Sequence, residues 1–588
     1  MSKPYKDFEP EWFHSEVPER SYRSIFKWGD PNLIKPPKET LYKLMKDKFG
    51  VTDDDFRQYS EDLGLDEVKF DLPISLNETQ LNAFREIVGG EFVRTDDYSR
   101  LSVAYGKTMY DILRLRNKIV ENVPDAVIYP DTKEQVERIV AFCAKEKIPV
   151  YVYGGGSSVT RGVECVKGGI SLDMRIRFNK VIHFNETDQL VTVQAGISGP
   201  DLEAALNDSV ARFGAKRAYT LGHFPQSFEY SSVGGWVVTH GSGQNSTYYG
   251  CIQDMVLGQE YATPVGNIKT DQYPRKATGP DLDRIMTGSE GTFGVLTHVT
   301  LKVSRHMPET IKRFSFMFKD WETGQAAARE IMQSEAGHPS VFRLSDPEET
   351  MFMLHLYGVD ESPLRHLFSV KGFKENEMCL FLSFTNGERK FSRNCAAYAK
   401  KIARRYGGMS LTGFVTRGWE KGRFNDPYMR DTMHDFGVVM DTMECSVNWS
   451  NMSKVHAEVR AYCKSRPRTV CLTHLSHAYP QGANLYWIFI TMVSDPEEFR
   501  QYHAGILDAI QRSGATMSHH HGIGKMFAPW LEGSLGRNEY AIIRALKNHF
   551  DPDNIMNPGG TLGFDLDESE KRFLRDDIPH LLRQGRSP

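Results

Sequence analysis

Two short segments hold side chains suited to moving protons. Residues 471–491, CLTHLSHAYPQGANLYWIFIT, contain His474, His477 and Tyr479 just ahead of a strand-like run. Residues 513–531, SGATMSHHHGIGKMFAPWL, contain His519, His520 and His521 in succession. Imidazole exchanges a proton near neutral pH or holds an anionic oxygen. A tyrosine hydroxyl serves as acid or base where nearby cations lower its pKa. Three adjacent residues on a strand alternate faces and do not converge on one ion. Zinc sites also favour spaced His or Cys, so no metal is expected. A plain surface run of histidines is the bland alternative, but the triplet sits inside ordered-looking sequence.

Four glycine-rich segments could hold a ligand. VYGGGSSVTRG (152–162) follows a strand, and successive glycines let the backbone turn sharply and offer amides to phosphate oxygens. It is neither G-x-x-x-x-G-K-[ST] nor G-x-G-x-x-G, so neither a Walker A loop nor a Rossmann nicotinamide site has support. GHFPQSFEYSSVGGWVVTHGSGQNSTYYG (222–250) is rich in small residues and suits a loop lying along an extended ligand. GSEGTFGVL (288–296) is a glycine turn entering a strand, and GISGPDLEAAL (196–206) a Gly-Pro entry to a helix. A plain tight turn explains any one of these alone.

The frame for these segments is an alternation of strands and helices. Residues 1–118 are charged and aromatic, with helix-like stretches such as ETLYKLMKDKFG and LNAFREIVGGEF. From about 119, NVPDAVIYPDTKEQVERIVAFCAKEKIPVYVYGGGSSVTRG reads strand, turn, helix, strand, loop, with Asp131 and Thr132 placed to cap the helix. Residues 119–303 form one α+β domain, 304–550 a second, and 551–588 a turn-rich C-terminal segment returning to the first.

Composition narrows the class. Of 588 residues, 40% are apolar and 25% charged, which excludes disorder, collagen-like repeats and coiled-coil rods. Lys and Arg number 72 against 76 Asp and Glu, a formal charge of −4, with no overall footprint for nucleic acid. Eight cysteines form no C-x-x-C pair and read as buried thiols in a reducing compartment. The N-terminus lacks an apolar signal core, and no stretch approaches the roughly 18 to 20 apolar residues of a membrane span. A cytoplasmic protein is expected, with peripheral membrane contact left open.

The order of motifs is more specific than any one of them. P-x-x-V-x-x-P, GGG-S, V-x-V-x-x-G, SSVGG, SEGT-x-G and a terminal NPGG resemble the vanillyl-alcohol oxidase and p-cresol methylhydroxylase superfamily. That resemblance implies an α+β fold of two domains, a PCMH-type FAD domain and a substrate-binding cap, here with a helical N-terminal extension. It also implies non-covalent FAD, extended, with its pyrophosphate on the GGG loop. The implied contacts from the first segment are Val152, Tyr153, Gly154, Gly155, Gly156, Ser157 and Ser158. From the second they are Gln226, Ser227, Phe228, Glu229, Tyr230, Ser231 and Ser232, then Thr239, His240, Gly241 and Ser242. From the third they are Glu290, Gly291, Thr292, Phe293, Gly294, Val295 and Leu296.

Within the superfamily, S-H-x-Y…G…Y-x-x-F, S-H-H-H-G-I-G-K, GHFPQSFEYSSVGGWV and FKWG resemble the alkylglycerone-phosphate synthase family of ether-lipid synthesis. The resemblance implies exchange of the acyl group of acyl-dihydroxyacetone phosphate for a long-chain fatty alcohol, FAD taking part covalently with no net redox change. Tyr479 maps onto that family's active-site tyrosine and His519, His520 and His521 onto its histidine triplet, with His521 first choice for a direct role. Arg343, in SVFRLSD, and Arg430, in DPYMRD, map onto its arginines, while Arg417 and Arg423 compete with Arg430. A phosphate dianion suits such guanidinium donors. A homodimer is left open. Two features depart from the family: its peroxisomal signals are not found, and NPGGTLGF leans toward FAD-dependent dehydrogenases of small 2-hydroxy acids, the alternative reading. A non-catalytic flavin binder is the third.

Overall fold

The computed structural model describes residues 9–36, 38–56, 63–356 and 363–575. The Gly-rich half is built on two sheets. A four-stranded sheet runs Val93–Arg94, Ala126–Ile128, Ile170–Asp173, Val150–Tyr153, parallel except for the first pair. Helix Lys133–Glu146 covers it, its N-terminus capped by Thr132, whose side chain accepts from the Gln135 amide. Apolar residues are buried on both faces, Ile128, Val150 and Leu172 on one and Val127 and Tyr153 on the other, as a covered parallel sheet requires. A five-stranded antiparallel sheet follows: Val181–Asn185, Leu190–Gln194, Val295–Lys302, Val256–Thr263, Gly266–Lys269.

The second half centres on a seven-stranded antiparallel sheet. Its order is Met409–Ser410, Lys312–Phe318, Cys379–Thr385, Val341–Ser345, Val470–Ser476, Gly482–Met492, Val438–Asn448. Alternation along its strands separates two faces. Val439, Met443, Cys445, Trp487 and Phe489 enter a large core with helices Trp321–Gln333, Met452–Ser465 and Pro496–Ser513. The intervening residues face the other way. Across four strands the register sets Glu444 beside Tyr486, Tyr486 beside His474 and His474 beside Ser345.

Helices Tyr22–Phe26, Glu78–Val88, Asp97–Ser102 and Met109–Arg116 make up much of the N-terminal segment. Buried ion pairs tie it down: both Arg23 and Arg116 reach Asp435, and Arg114 reaches Asp111 and Glu164. In the C-terminal segment the Asn557 amide donates to the Val150 carbonyl and Met556 bridges Val150. All eight cysteines are free and buried. Among the described residues, no helix is long and apolar enough to cross a membrane.

Candidate functional site

A cavity of about 330 Å3 lies where the Gly-rich half meets the open face of the seven-stranded sheet. One wall is bare backbone and small side chains. Gly154, Gly155 and Gly156 leave the strand Val150–Tyr153 here. A Cβ on Gly155 would lie 2.2 Å from the Tyr230 carbonyl oxygen, and Gly156 sits at a φ of +64°. Ser157, Ser158, Gln226, Ser227, Ser231, Ser232, Thr239, Gly241, Ser242, Glu290, Gly291, Gly294 and Leu296 also border the cavity.

Seven of the expected contact residues do not. Phe228 packs on Phe224 and Phe424, and Tyr230 meets the edge of Trp28. Glu229 takes the Tyr428 hydroxyl, and His240 Nδ1 pairs with Gln253. Thr292 donates to the Ser289 carbonyl and Phe293 packs on Phe550. Val295 is fully buried in the core, because side chains alternate along Val295–Lys302 and Leu296 takes the cavity face. A contiguous motif names a stretch of chain, whereas the fold selects alternate side chains from it.

The opposite wall is polar and aromatic: Arg343, Arg430, His474, His477, Tyr486, His520 and His521. Arg343 Nη2 holds Glu349 at 2.8 Å, and the same Oε1 takes His474 Nδ1 at 3.0 Å. Burial works to raise the Glu349 pKa, but Arg343 and His474 bring it down to about 2. Arg430 donates to the Lys107 carbonyl at 2.8 Å and to Asp431. Arg423 instead lies against Phe224 and Phe424 and donates to Asn245, and Arg417 is exposed; neither borders the cavity. Of the three competing arginines, only Arg430 is placed to meet a ligand there.

The histidine triplet departs from the strand geometry expected for it. Gly514, left-handed at φ 89°, ends helix Pro496–Ser513, and the triplet follows on an irregular loop. That loop folds around Glu444, a residue absent from the sequence-derived candidates. The amides of His519, His520 and His521 donate to its carboxylate at 2.8 to 3.1 Å. Ser518 Oγ at 2.8 Å and Asn484 Nδ2 at 2.6 Å complete the set. Burial favours the neutral acid, but the three imidazoles and the amides outweigh it and hold the Glu444 pKa near 2. On such a loop adjacent rings need not diverge: ligand atoms of Glu444, His519 and His520 lie within 4.8 Å of one another. Glu444 already spends both oxygens on hydrogen bonds, which argues for an anchor rather than a metal ligand.

Tyr479 and His519, both partly exposed, do not themselves border the cavity; His519 adjoins it through His520. Tyr479 Oη lies 2.7 Å from His519 Nε2, and His519 Nδ1 lies 3.0 Å from His520 Nδ1. His520 Nδ1 is in turn 3.5 Å from Glu444 Oε2. A continuous chain thus runs Tyr479, His519, His520, Glu444. His521, by contrast, borders the cavity with its ring 4.8 Å from that of His520 and 5.6 Å from that of Tyr486. The tyrosine pKa is not lowered by cations, as the sequence suggested; burial pushes it up, and the Cys251 thiol 3.1 Å away adds to this. Burial likewise depresses His519 and His520 to about 4 and lowers His521, leaving neutral imidazoles at working pH.

Glu290 joins the two walls. Its carboxylate accepts from the Ile523 and Gly524 amides at 2.6 and 2.7 Å, just past the triplet. Burial raises its pKa to about 7. Glu290 thus ties the loop that carries the histidine triplet to the wall it borders. Bare amides, serine hydroxyls and a forbidden Cβ at Gly155 fit a pyrophosphate; the aromatic and imidazole face opposite fits a planar ring. The cavity thus suits FAD.

Comparison with known proteins agrees. Residues 124–271 match the family described as FAD binding domain, and 307–561 that described as FAD linked oxidases, C-terminal domain. An alkyldihydroxyacetonephosphate synthase of Dictyostelium discoideum is 30% identical over 505 residues, 82% of this chain and 81% of the relative. A solved alkyldihydroxyacetonephosphate synthase superposes with a TM-score of 0.76 at 25% identity, covering 91% of this chain and 99% of that one. p-Cresol methylhydroxylase shares the fold alone: TM-score 0.61, 16% identity, 84% of this chain and 99% of that one.

Proposed function

Because this chain belongs to the alkyldihydroxyacetonephosphate synthase family of FAD-linked enzymes, we propose that it exchanges the acyl group of an acyl-dihydroxyacetone phosphate for a long-chain fatty alcohol, without net redox change. The observation that carries this reading is the 2.7 Å contact between Tyr479 Oη and His519 Nε2 beside a cavity bordered by two arginines. Oxidation of a hydroxy acid needs a base and a hydride acceptor. Substitution at the carbon beside a ketone needs in addition a group that removes and later restores one proton, and a paired tyrosine suits that role.

Each residue has a task in this scheme. The Gly154–Gly156 loop and the His520–His521 face would hold FAD without a bond to the protein, and the cofactor would supply an electron sink for the reacting carbon. Arg343 and Arg430 hold the phosphate dianion by charge-assisted hydrogen bonds. Tyr479 accepts the proton from C1 of the substrate as its own phenolic proton passes to neutral His519. The positive charge that arises is offset by Glu444 through His520, at 3.5 Å. The acyl group leaves as carboxylate, the alcohol enters and releases its hydroxyl proton to solvent along with that carboxylate, and the proton stored on the Tyr479–His519 pair returns to C1.

The test uses purified holoprotein with palmitoyl-dihydroxyacetone phosphate and hexadecanol. Release of palmitate equal to the ether ketone formed, with no oxygen or dye consumed, is the expected result. Flavin bleaching by D-lactate or glycolate, with no palmitate released from the acyl substrate, would replace this reading by 2-hydroxy-acid oxidation.

A further inference from the structure

The proposed exchange moves two protons, and the chain from Tyr479 to Glu444 handles only the one on C1. The hydroxyl proton of the entering alcohol calls for a second base. A second carboxylate–imidazole pair borders the same cavity. His474 lies in strand Val470–Ser476 on the open face of the seven-stranded sheet, its ring stacked on that of Tyr486 at 5.0 Å. Its Nδ1 lies 3.0 Å from Glu349 Oε1. Among the described residues, no side-chain hydrogen bond joins this pair to Tyr479, His519 or His520.

Glu349 decides which nitrogen of the ring carries hydrogen. It comes from the first turn of helix Pro347–Leu356, and Asp346 pins that turn to the strand beside His474. Asp346 Oδ1 accepts from the Glu349 amide at 2.8 Å and from the Thr473 amide at 3.3 Å. Against burial, Arg343 and His474 hold the Glu349 carboxylate ionised, its pKa near 2. An ionised carboxylate only accepts, so the hydrogen sits on His474 Nδ1. Burial and Arg343 lower the pKa of the ring and keep a second proton off it at neutral pH. Nε2 is left as an acceptor with no protein partner, and it keeps exposed surface where His477 Nε2 has none. The space that His474 borders is the cavity.

We infer that His474, its tautomer set by Glu349, is the base that takes the hydroxyl proton of the fatty alcohol. The inference rests on the proposed exchange reaction. After the acyl C1–O bond has broken, the alcohol oxygen supplies the electron pair of the new C1–O bond as its O–H bond breaks. The proton goes to Nε2 and then to solvent with the departed carboxylate, so His474 ends neutral. No oxidant or reductant is consumed.

Two assays on holoprotein separate the two bases. Exchange of labelled palmitate into palmitoyl-dihydroxyacetone phosphate, without alcohol, uses Tyr479 alone. Ether formation from hexadecanol uses both. H474N keeps a donor for Glu349 and removes the Nε2 acceptor; H474Q, also without a base, decides if H474N does not fold. Ether formation is expected to fall about 10²-fold or more, with palmitate exchange and FAD content near wild type. The more acidic 2,2-difluorohexadecanol is expected to suffer less from the substitution than hexadecanol, which a packing defect would not produce. Equal loss of exchange and ether formation in a folded variant overturns the proposal, as does ether formation at the wild-type rate. Wild-type protein inactive in both assays would overturn the exchange reading itself, and this proposal with it.

Discussion

At Tyr479 burial and chemistry pull in opposite directions. Burial disfavours the phenolate, yet the proposed reaction asks the residue to move a proton. The neutral imidazole of His519 resolves this, since the phenolic proton can leave as another arrives. Tyr479→Phe is expected to retain FAD and lose about 10²- to 10⁴-fold in kcat, the usual weight of one acid–base group; flavin absorbance and palmitate release check both. Because His519 and His520 stay neutral down to about pH 4, the acid limb of kcat is expected near pH 4, not near 6.5. Activity that needs the neutral ring is present above that pKa and lost as pH falls through it. A titration midpoint near 6.5 in a pH–rate profile would refute this. Glu444→Gln replaces one acceptor oxygen by an amide donor facing several N–H donors; each buried donor left unpaired costs about 1–3 kcal/mol. A fall in Tm together with a large loss of kcat, with KM little changed, is the expected outcome. S-H-x-Y and HHH were legible because family motifs are contiguous. Glu444 was not, since it lies 75 residues before His519 and only strand register brings it there.

Single elements decide how the cavity is shaped. The turn Gly154–Gly156 was legible as a ligand loop only through its place in the order of motifs, since a tight turn by itself would also explain three glycines. The two neighbours of that turn differ in kind. A Cβ on Gly155 would meet the Tyr230 carbonyl oxygen at 2.2 Å, which is backbone, whereas one on Gly154 would meet Ser232 Oγ at 2.2 Å, a side chain able to rotate. Gly155→Ala is therefore expected to abolish FAD binding while Gly154→Ala only weakens it. The flavin-to-protein absorbance ratio after gel filtration measures the difference, and equal losses would contradict the argument. The triplet loop illustrates what local reading misses. Alternation along a strand was assumed for it, but the chain after Gly514 is irregular and wraps a carboxylate.

At the scale of the whole molecule, the N-terminal segment is locked by charge to the half that carries the seven-stranded sheet. Asp435 accepts two hydrogen bonds from Arg23, at 2.9 and 2.7 Å, and one from Arg116 at 2.7 Å, all buried. Burial alone would raise the Asp435 pKa, but the two guanidinium groups hold it well below the usual carboxylate range. Asp435→Asn leaves buried cations underpaired and is expected to destabilise by about 3–5 kcal/mol, read as a marked fall in Tm. Acid sensitivity follows from the buried imidazoles. His223 and His503 are lowered to about 3 by burial, and His519 and His520 to about 4, against 6.5 unfolded. The unfolded chain therefore binds more protons below pH 6.5, and stability falls as pH drops from 6.5 toward 4. Glu290 and Asp441, raised to about 7 and about 6, act in the opposite sense with Asp111 and Glu203, also raised by burial, but burial lowers His434, His474, His477 and His521 as well, so the histidines remain more numerous. Melting temperature is expected to decline between pH 6.5 and 4 in differential scanning measurements; a Tm that rises over this range would contradict the sign.

The family, the FAD cofactor and the two-domain class were determined by the sequence, because they reside in ordered motifs such as GGG-S, SSVGG and SEGT-x-G that survive without their partners. Tyr479, the triplet and the competing arginines could likewise be named from adjacent residues. Three things were left to tertiary structure: that Arg430 rather than Arg423 or Arg417 meets the cavity, that His519 rather than His521 pairs with the tyrosine, and that Glu444 underlies the histidine triplet. Each depends on contacts between residues far apart in the chain. Their geometry comes from strand register, loop curvature and the burial of charge against charge, none of which leaves a local pattern of residue types.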